Sequence, residues 1–293
     1  MTRTSFLAIV LAALATSASP ASAQGKSQQH GHTVPPSRNE LATVAPVGAV
    51  PTSPESGTPL AWVDDASLLP PGMVSASVSA MWWHNAGVSE TDIPIAGAAF
   101  GLAPKVQLSA TVSHVVGSSD VLGAAGGVGT SAFSSKIAVY ESHTRTFKVA
   151  TSPTILVVPQ GVVDAAGQPQ SRVQWGLPVS AEISRGTIRL YGGGGYFSPG
   201  MWFGGAALGF RAADKTMASV GFSRAWRLTD LPNVPLATRD RKELSVALSR
   251  VLASTVIAFG SVGRTIATLD ENGAGTTISG GVTILLATAA ARP

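Results

Sequence analysis

Hydrophobic and polar residues alternate along several short runs of this chain. In the run 172–184, apolar residues fall on one parity and polar or small residues on the other. The runs 105–113, 243–249 and 277–283 alternate in the same way. A period of two residues is typical of a β-strand whose two faces meet different environments. The pattern therefore predicts strands with one apolar and one polar face.

Turn-forming residues separate these runs at regular intervals, for example at 85–87, 184–186, 198–200 and 271–273. They delimit about twelve strands, within a range of 10–14. Most of these runs have about 11–14 residues, longer than the usual 5–6 of soluble sheets and long enough to cross a membrane as a tilted strand. The predicted strands lie near 72–83, 91–102, 105–116, 126–140, 146–158, 172–184, 187–197, 200–212, 215–227, 239–250, 254–265 and 275–287.

Composition decides which surface the apolar face meets. Only 12% of the residues are charged, against about 25% in soluble domains, and 45% are hydrophobic. A soluble β-sandwich would carry charge on its outward parity, whereas here that parity holds mostly Ser, Thr, Gly and Gln. Small polar residues suit the wall of a hydrated lumen. The sequence therefore predicts an all-β, antiparallel transmembrane barrel, with a secreted β-sandwich that binds a partner as an alternative.

The stretch 244–262 offers a second reading, because it is apolar enough to suggest a membrane helix. Arg250 interrupts it, and a central arginine costs a membrane helix roughly 2.5–3.5 kcal/mol on insertion scales. Ser and Thr are also frequent there. Two strands joined near residues 251–254 are the favoured interpretation.

The N-terminal region predicts export. Arg3 precedes an apolar stretch at 6–15, and small residues at 21–23 form a cleavage site, so residues 1–23 are expected to be a signal peptide. Residues 24–71 are rich in Pro and Ser, and we expect a flexible leader before a barrel at 72–289. The expected location is the cell outer membrane.

Aromatic residues lie near the ends of predicted strands, as they do in the interfacial girdles of outer-membrane barrels. The girdle candidates are Trp82, Trp83, Tyr196, Trp202 and Trp226.

Charged residues on the polar parity are candidates for the lumen wall. Four are basic and two acidic, which predicts a mild preference for anions in a confined pore unless they pair with one another. These candidates are Lys136, Arg172, Glu182, Arg189, Arg211 and Glu243.

No catalytic, metal or cofactor site is predicted. The chain has no cysteine, and His114 and Ser118, with Glu141 or Asp120, form no recognisable catalytic spacing. The 20 basic and 16 acidic residues leave a formal net charge of +4, and the basic residues are scattered rather than clustered. The chain is therefore not expected to be an enzyme or to bind nucleic acid.

Several sequence elements resemble a family of outer-membrane barrel proteins labelled as meta-pathway phenol-degradation-like or hydrophobic-solute transporters. The similar stretches are DASLLPPGMVSASVSAMWW (65–83), TDIPIAGAAFGLAPKVQLSATVSHV (91–115) and GRTIATLDENGAGTTISGGV (263–282). The shared elements are the leucine-proline entry at 69–71, Gly101-Leu102 with Leu108, and Gly127-Val128-Gly129 before Lys136.

This resemblance implies a barrel in contact with outer-membrane lipid and with the barrel-assembly machinery, acting as a passive channel or transporter for small or hydrophobic solutes. A barrel with a structural role and no transport is the alternative. One departure concerns the C-terminus: many outer-membrane barrels end in an aromatic residue that the assembly machinery reads, whereas this chain ends in Ala-Arg-Pro at 291–293.

Overall fold

The computed structural model describes residues 63–84, 89–120, 123–157, 171–198, 201–227, 240–268 and 275–288. These ranges contain strands only, apart from turns and short connections. The strands are β1 (Met73–His84), β2 (Ser89–Ala103), β3 (Val106–Asp120), β4 (Gly123–Glu141), β5 (Phe147–Thr151), β6 (Thr154–Val157), β7 (Val173–Arg185), β8 (Ile188–Phe197), β9 (Met201–Ala213), β10 (Thr216–Arg227), β11 (Asp240–Ala253), β12 (Val256–Thr268) and β13 (Thr276–Ala287).

Strands β5 and β6 are two parts of one barrel strand. Both pair with β4 on one side and with β7 on the other. Residues 152–153 separate them, because Pro153 has no N–H to donate to the ladder. The backbone still bridges the interruption, since Ser135 N–H donates to the Pro153 carbonyl (3.1 Å). The thirteen strands therefore form twelve barrel strands.

The sheet closes on itself. Every pairing is antiparallel, and each of the twelve barrel strands pairs with the next along the chain. The first strand, β1, also pairs with the last, β13, from Met73↔Ala287 to His84↔Thr276. Closure removes the free strand edges that lipid would leave without hydrogen-bond partners. The predicted antiparallel barrel of about twelve strands is confirmed.

The two ends of the barrel differ in the length of their connections. Two-residue turns join β2 to β3, β7 to β8, β9 to β10 and β11 to β12, at the end where β1 begins and β13 finishes. At the opposite end, residues 158–172 connect β6 to β7 and residues 228–239 connect β10 to β11. We call these the turn end and the loop end. Short turns on the periplasmic side and longer extracellular loops are typical of outer-membrane barrels.

The exterior of the wall is apolar and the interior is largely polar. Val78, Leu190 and Val246 point outward with half or more of their surface exposed, whereas Ser75 and Thr283 point inward and are fully buried. Adjacent residues of a strand point to opposite faces, so the alternation in the sequence becomes an outside and an inside. The predicted assignment of the apolar parity to the exterior therefore agrees with the structure.

The stretch 244–262, for which a membrane helix was the alternative, forms the later part of β11 and the first part of β12. Among the described residues, no helix is long and apolar enough to cross a membrane. The predicted signal peptide at 1–23 and the leader up to residue 62 lie outside the described residues.

An arginine substitution at mid-height tests whether lipid covers the exterior. Val246 lies near the middle of β11 and Leu252 near its turn end, and both point outward. We expect Val246→Arg to lower the free energy of unfolding by about 2–4 kcal/mol, and Leu252→Arg by about 0–1 kcal/mol, because the cost of a lipid-facing arginine depends on depth. Denaturant titration in lipid vesicles measures both, and equal costs would contradict a lipid-facing wall.

Candidate functional site

Residues 63–70, the lumenal segment, lie inside the barrel. Val63, Ala66 and Leu69 are at most 3% exposed. The sequence predicted a flexible leader as far as residue 71, but these apolar side chains are packed against the wall. Within the described residues, packed structure therefore precedes the first strand.

A turn at residues 70–73 carries the chain from the lumen into β1. Met73 N–H donates to the Pro70 carbonyl (3.0 Å), and Gly72 has a positive φ of 76°. Proline at the second position and glycine with positive φ at the third are typical of a type II turn. Pro71 and Gly72 thus suit the reversal that places the segment inside.

Two apolar side chains anchor the segment on different sides of the wall. Leu69 packs on β2, β12 and β13, whereas Val63 packs on β8, β9 and β11. The segment therefore reaches across the lumen rather than following one strand. The wall residues are Ala99, Ile257 and Leu285 for Leu69, and Tyr191, Ala207 and Ala247 for Val63.

Ion pairs hold the middle of the segment. Lys136 Nζ lies 3.0 Å from Asp64 Oδ2 and 3.5 Å from Asp65 Oδ1. Arg189 Nη2 lies 3.2 Å from Asp65 Oδ2 and 2.9 Å from Glu182 Oε2. All except Asp64 have side chains no more than 8% exposed. Charges this buried persist only when they are paired and hydrogen-bonded.

Hydrogen bonds extend this network. The Ser67 hydroxyl donates to Glu182 Oε2 (2.8 Å), and Lys148 Nζ donates to Ser67 Oγ (3.2 Å). Leu69 N–H donates to Gln107 Oε1 (2.8 Å). The segment is thus bound to β3, β4, β5, β7 and β8 by polar contacts.

The lumenal segment neutralises the charge of the wall around it. Three cationic wall residues and one anionic one give 3 − 1 = +2, and the two aspartates of the segment bring the sum to zero. Burial raises the pKa of the Asp64 carboxyl above its ordinary 3.8, while the Lys136 ammonium group acts in the opposite direction. The wall residues in this sum are Lys136, Lys148, Arg189 and Glu182.

Glycines allow the segment to lie close to the wall. A Cβ on Gly101 would collide with the Pro70 carbonyl oxygen, and one on Gly205 would lie 2.8 Å from Val63 Cγ2. Gly72 N–H also donates to the Gly101 carbonyl (2.8 Å). Only a residue without a side chain permits such an approach.

The structure places the predicted lumen residues in two groups. Four point inward and are buried, namely Lys136, Glu182, Arg189 and Glu243. Arg211 continues the inward row of β9 but is exposed near the turn end, and Arg172 is exposed just before β7 at the loop end. The sequence interpretation missed Asp64, Asp65, Lys148 and Gln107. The adjacent acidic pair, which stands two residues before the Leu-Leu-Pro-Pro motif, was the available signal for the first two.

Four of the five girdle candidates lie on the outward parity near the loop end: Trp82, Tyr196, Trp202 and Trp226. Trp175 joins them, since the Tyr196 ring centroid lies 5.3 Å from those of Trp175 and Trp202. The assignment of Trp83 to the girdle is wrong. Trp83 is 3% exposed and points inward, because it follows the outward Trp82 directly.

Among the described side chains, His114 and Glu141 are not brought together. The His114 side chain is exposed on the outward face of β3, and Glu141 lies at the turn end of β4. The side chains of Ser118 and Asp120 are outside the described set. Within the described ranges, no three His, Asp or Glu residues are placed to hold a metal ion.

Comparisons with known proteins identify the fold. No family model matches the sequence, and no curated protein matches it either. The structure is similar to an outer membrane channel from Pseudomonas putida F1, with a TM-score of 0.56, 12% identity, and coverage of 76% of this chain and 98% of that one. It is also similar to the NanC porin, with a TM-score of 0.51, 7% identity, and coverage of 71% and 98%. At these identities the likeness shows a shared outer-membrane barrel fold.

Proposed function

We propose that this protein is an outer-membrane channel through which small solutes pass passively. The observation that carries the proposal is a polar, ion-paired lumen inside a closed barrel whose exterior is apolar. An apolar exterior suits lipid, and a charged interior suits water and dissolved solutes. The shared fold with an outer membrane channel and a porin supports the same function.

The lumenal segment restricts the proposed channel. Barrels of eight strands have interiors that side chains fill, and barrels of 16–18 strands leave an aqueous channel. Twelve strands give an intermediate interior, and here one extended segment spans it between Val63 and Leu69. Transport by the wild-type protein is therefore expected to be slow, with small conductance steps.

Hydrophobic solutes are a finer part of the proposal, as the resemblance to the phenol-degradation-like family implies. An apolar cluster on the inner wall near the loop end supports it. These side chains are at most 5% exposed and pack against one another, so a hydrophobic solute would contact them only where they separate. The cluster consists of Leu156, Phe197, Met201, Phe203 and Ala225.

A structural barrel without transport is the second candidate. It is favoured by the ion pairs of Asp65, which connect the segment to β4 and β8 across the interior. A segment held this firmly could serve mainly to stabilise the barrel.

Planar-bilayer recording separates the two candidates. We expect the purified, folded protein to produce discrete current steps, and the boiled protein to produce none. Heat-modifiable migration in gels verifies that the barrel is folded. A folded protein that gives no current at any voltage would favour the structural barrel. Membrane fractionation tests the location, and recovery in the soluble periplasmic fraction would contradict it.

A further inference from the structure

We infer that the lumenal wall contains a binding site for dicarboxylate anions, and that Asp64 and Asp65 occupy it as a tethered competitor. The inference rests on the proposed channel function only because a solute must reach the lumen. The site consists of Lys136, Lys148 and Arg189, which we call the basic site.

The acidic pair supplies the geometry of the ligand. The two carboxylates come from adjacent residues, and Lys136 Nζ lies within 3.5 Å of both of them. Arg189 contacts the second carboxylate at 3.2 Å. A short organic dianion carries two carboxylates at a comparable separation and can make the same charge-assisted hydrogen bonds.

The wall residues that contact the segment carry a net positive charge once the segment withdraws. Without Asp64 and Asp65, the basic site and Glu182 leave a local charge of 3 − 1 = +2 in a confined interior. The side chains of Lys136 and Arg189 are only 5% and 8% exposed. Buried cations without a counter-ion are costly, so the open lumen favours entry of an anion over a neutral solute.

The bound segment also leaves a route to the site. The Asp64 side chain keeps 26% of its surface accessible, although its partner Lys136 is buried. The outer edge of the acidic pair is therefore in contact with the water of the lumen. An incoming anion can replace Asp64 first and Asp65 afterwards, so the whole segment does not have to leave in one step.

Competition sets the expected strength of binding. The tethered aspartates act at a high effective concentration, so the basic site is free in only a fraction of the molecules. The apparent affinity of a free ligand is reduced in proportion to that fraction. Wild-type protein should therefore bind a free dianion weakly. Neutralising the acidic pair should increase the apparent affinity.

Thermal unfolding in detergent with succinate as the probe tests the inference, since a ligand that binds the folded barrel raises its unfolding temperature. We expect Asp64→Asn/Asp65→Asn to respond at a succinate concentration at least tenfold lower than wild type. Succinamide, which has the same shape without charge, should have no effect. Adding Lys136→Gln, which removes the ammonium group within 3.5 Å of both carboxylates, should abolish the response to succinate.

Asp214→Asn is the matched control, because it removes one negative charge at an exposed turn outside the lumen. It should respond like wild type. Equal succinate midpoints for the wild type and the double variant, or equal responses to succinate and succinamide, would overturn the inference.

Bilayer recording of the same proteins keeps the two proposals distinct. Current without a succinate effect on stability would refute the basic site and leave the channel standing. Stabilisation by succinate in a protein that passes no current would support the basic site and refute the channel.

Discussion

The double substitution Asp64→Lys/Asp65→Lys should open the channel and raise its single-channel conductance several-fold over wild type. The substitution puts two cations beside Lys136 and Arg189 in place of their counter-ions. Breaking buried pairs of this kind costs about 3–5 kcal/mol. Since 1.4 kcal/mol corresponds to a factor of ten, the equilibrium between bound and released segment shifts by roughly two to four powers of ten.

A steric variant separates release of the segment from a change of charge. Gly101→Val should also raise conductance, because its side chain would occupy the place of the Pro70 carbonyl. Asp214→Lys, at the exposed turn between β9 and β10, is the control and should conduct like wild type. If both lumenal variants fold and conduct like wild type, the segment does not restrict the pore.

The second large effect concerns stability. We expect Arg189→Leu to lower the free energy of unfolding by about 3–5 kcal/mol, because Glu182 and Asp65 lose the guanidinium group that pairs with both. Urea titration in lipid vesicles measures the loss. The double variant Arg189→Leu/Glu182→Leu should recover much of it, since it no longer buries an unpaired Glu182 carboxylate.

An exposed pair provides the control for this variant. Arg145 lies 3.8 Å from Glu141 at the turn end, and its side chain is 83% exposed. Arg145→Leu should therefore cost about 0–1 kcal/mol, as is usual for surface ion pairs. Similar losses for Arg189→Leu and Arg145→Leu would show that the lumenal ion pairs contribute little.

The strands could be predicted because their signal is local. Alternation within ten to fifteen residues fixes both the strand and its two faces, and the predicted segment 187–197 agrees with β8 to within one residue. The break between β5 and β6 is different: the segment 146–158 was predicted as one strand, and only the pairing shows what Pro153 does to the ladder. At Trp83 the composition of the strand end suggested a girdle, although the parity of the strand points this residue inward.

The lumenal segment could not be predicted in the same way, because its contacts are distant in sequence. Asp65 lies 71 residues before Lys136 and 124 before Arg189. Periodicity carries no information about such pairs. The anion preference, which stays a prediction, counted wall residues alone, whereas the structure adds two carboxylates beside Lys136 and Arg189.

The turn at residues 70–73 makes the blocker and the wall one covalent unit. A soluble inhibitor is lost on dilution, whereas the tethered aspartates stay with their barrel through extraction and purification. The occupancy of the basic site by these aspartates is consequently a property of each single molecule. It does not depend on protein concentration or on a second polypeptide. In the proposed channel, each barrel therefore carries its own blocking segment, and a solute that displaces the segment would open it.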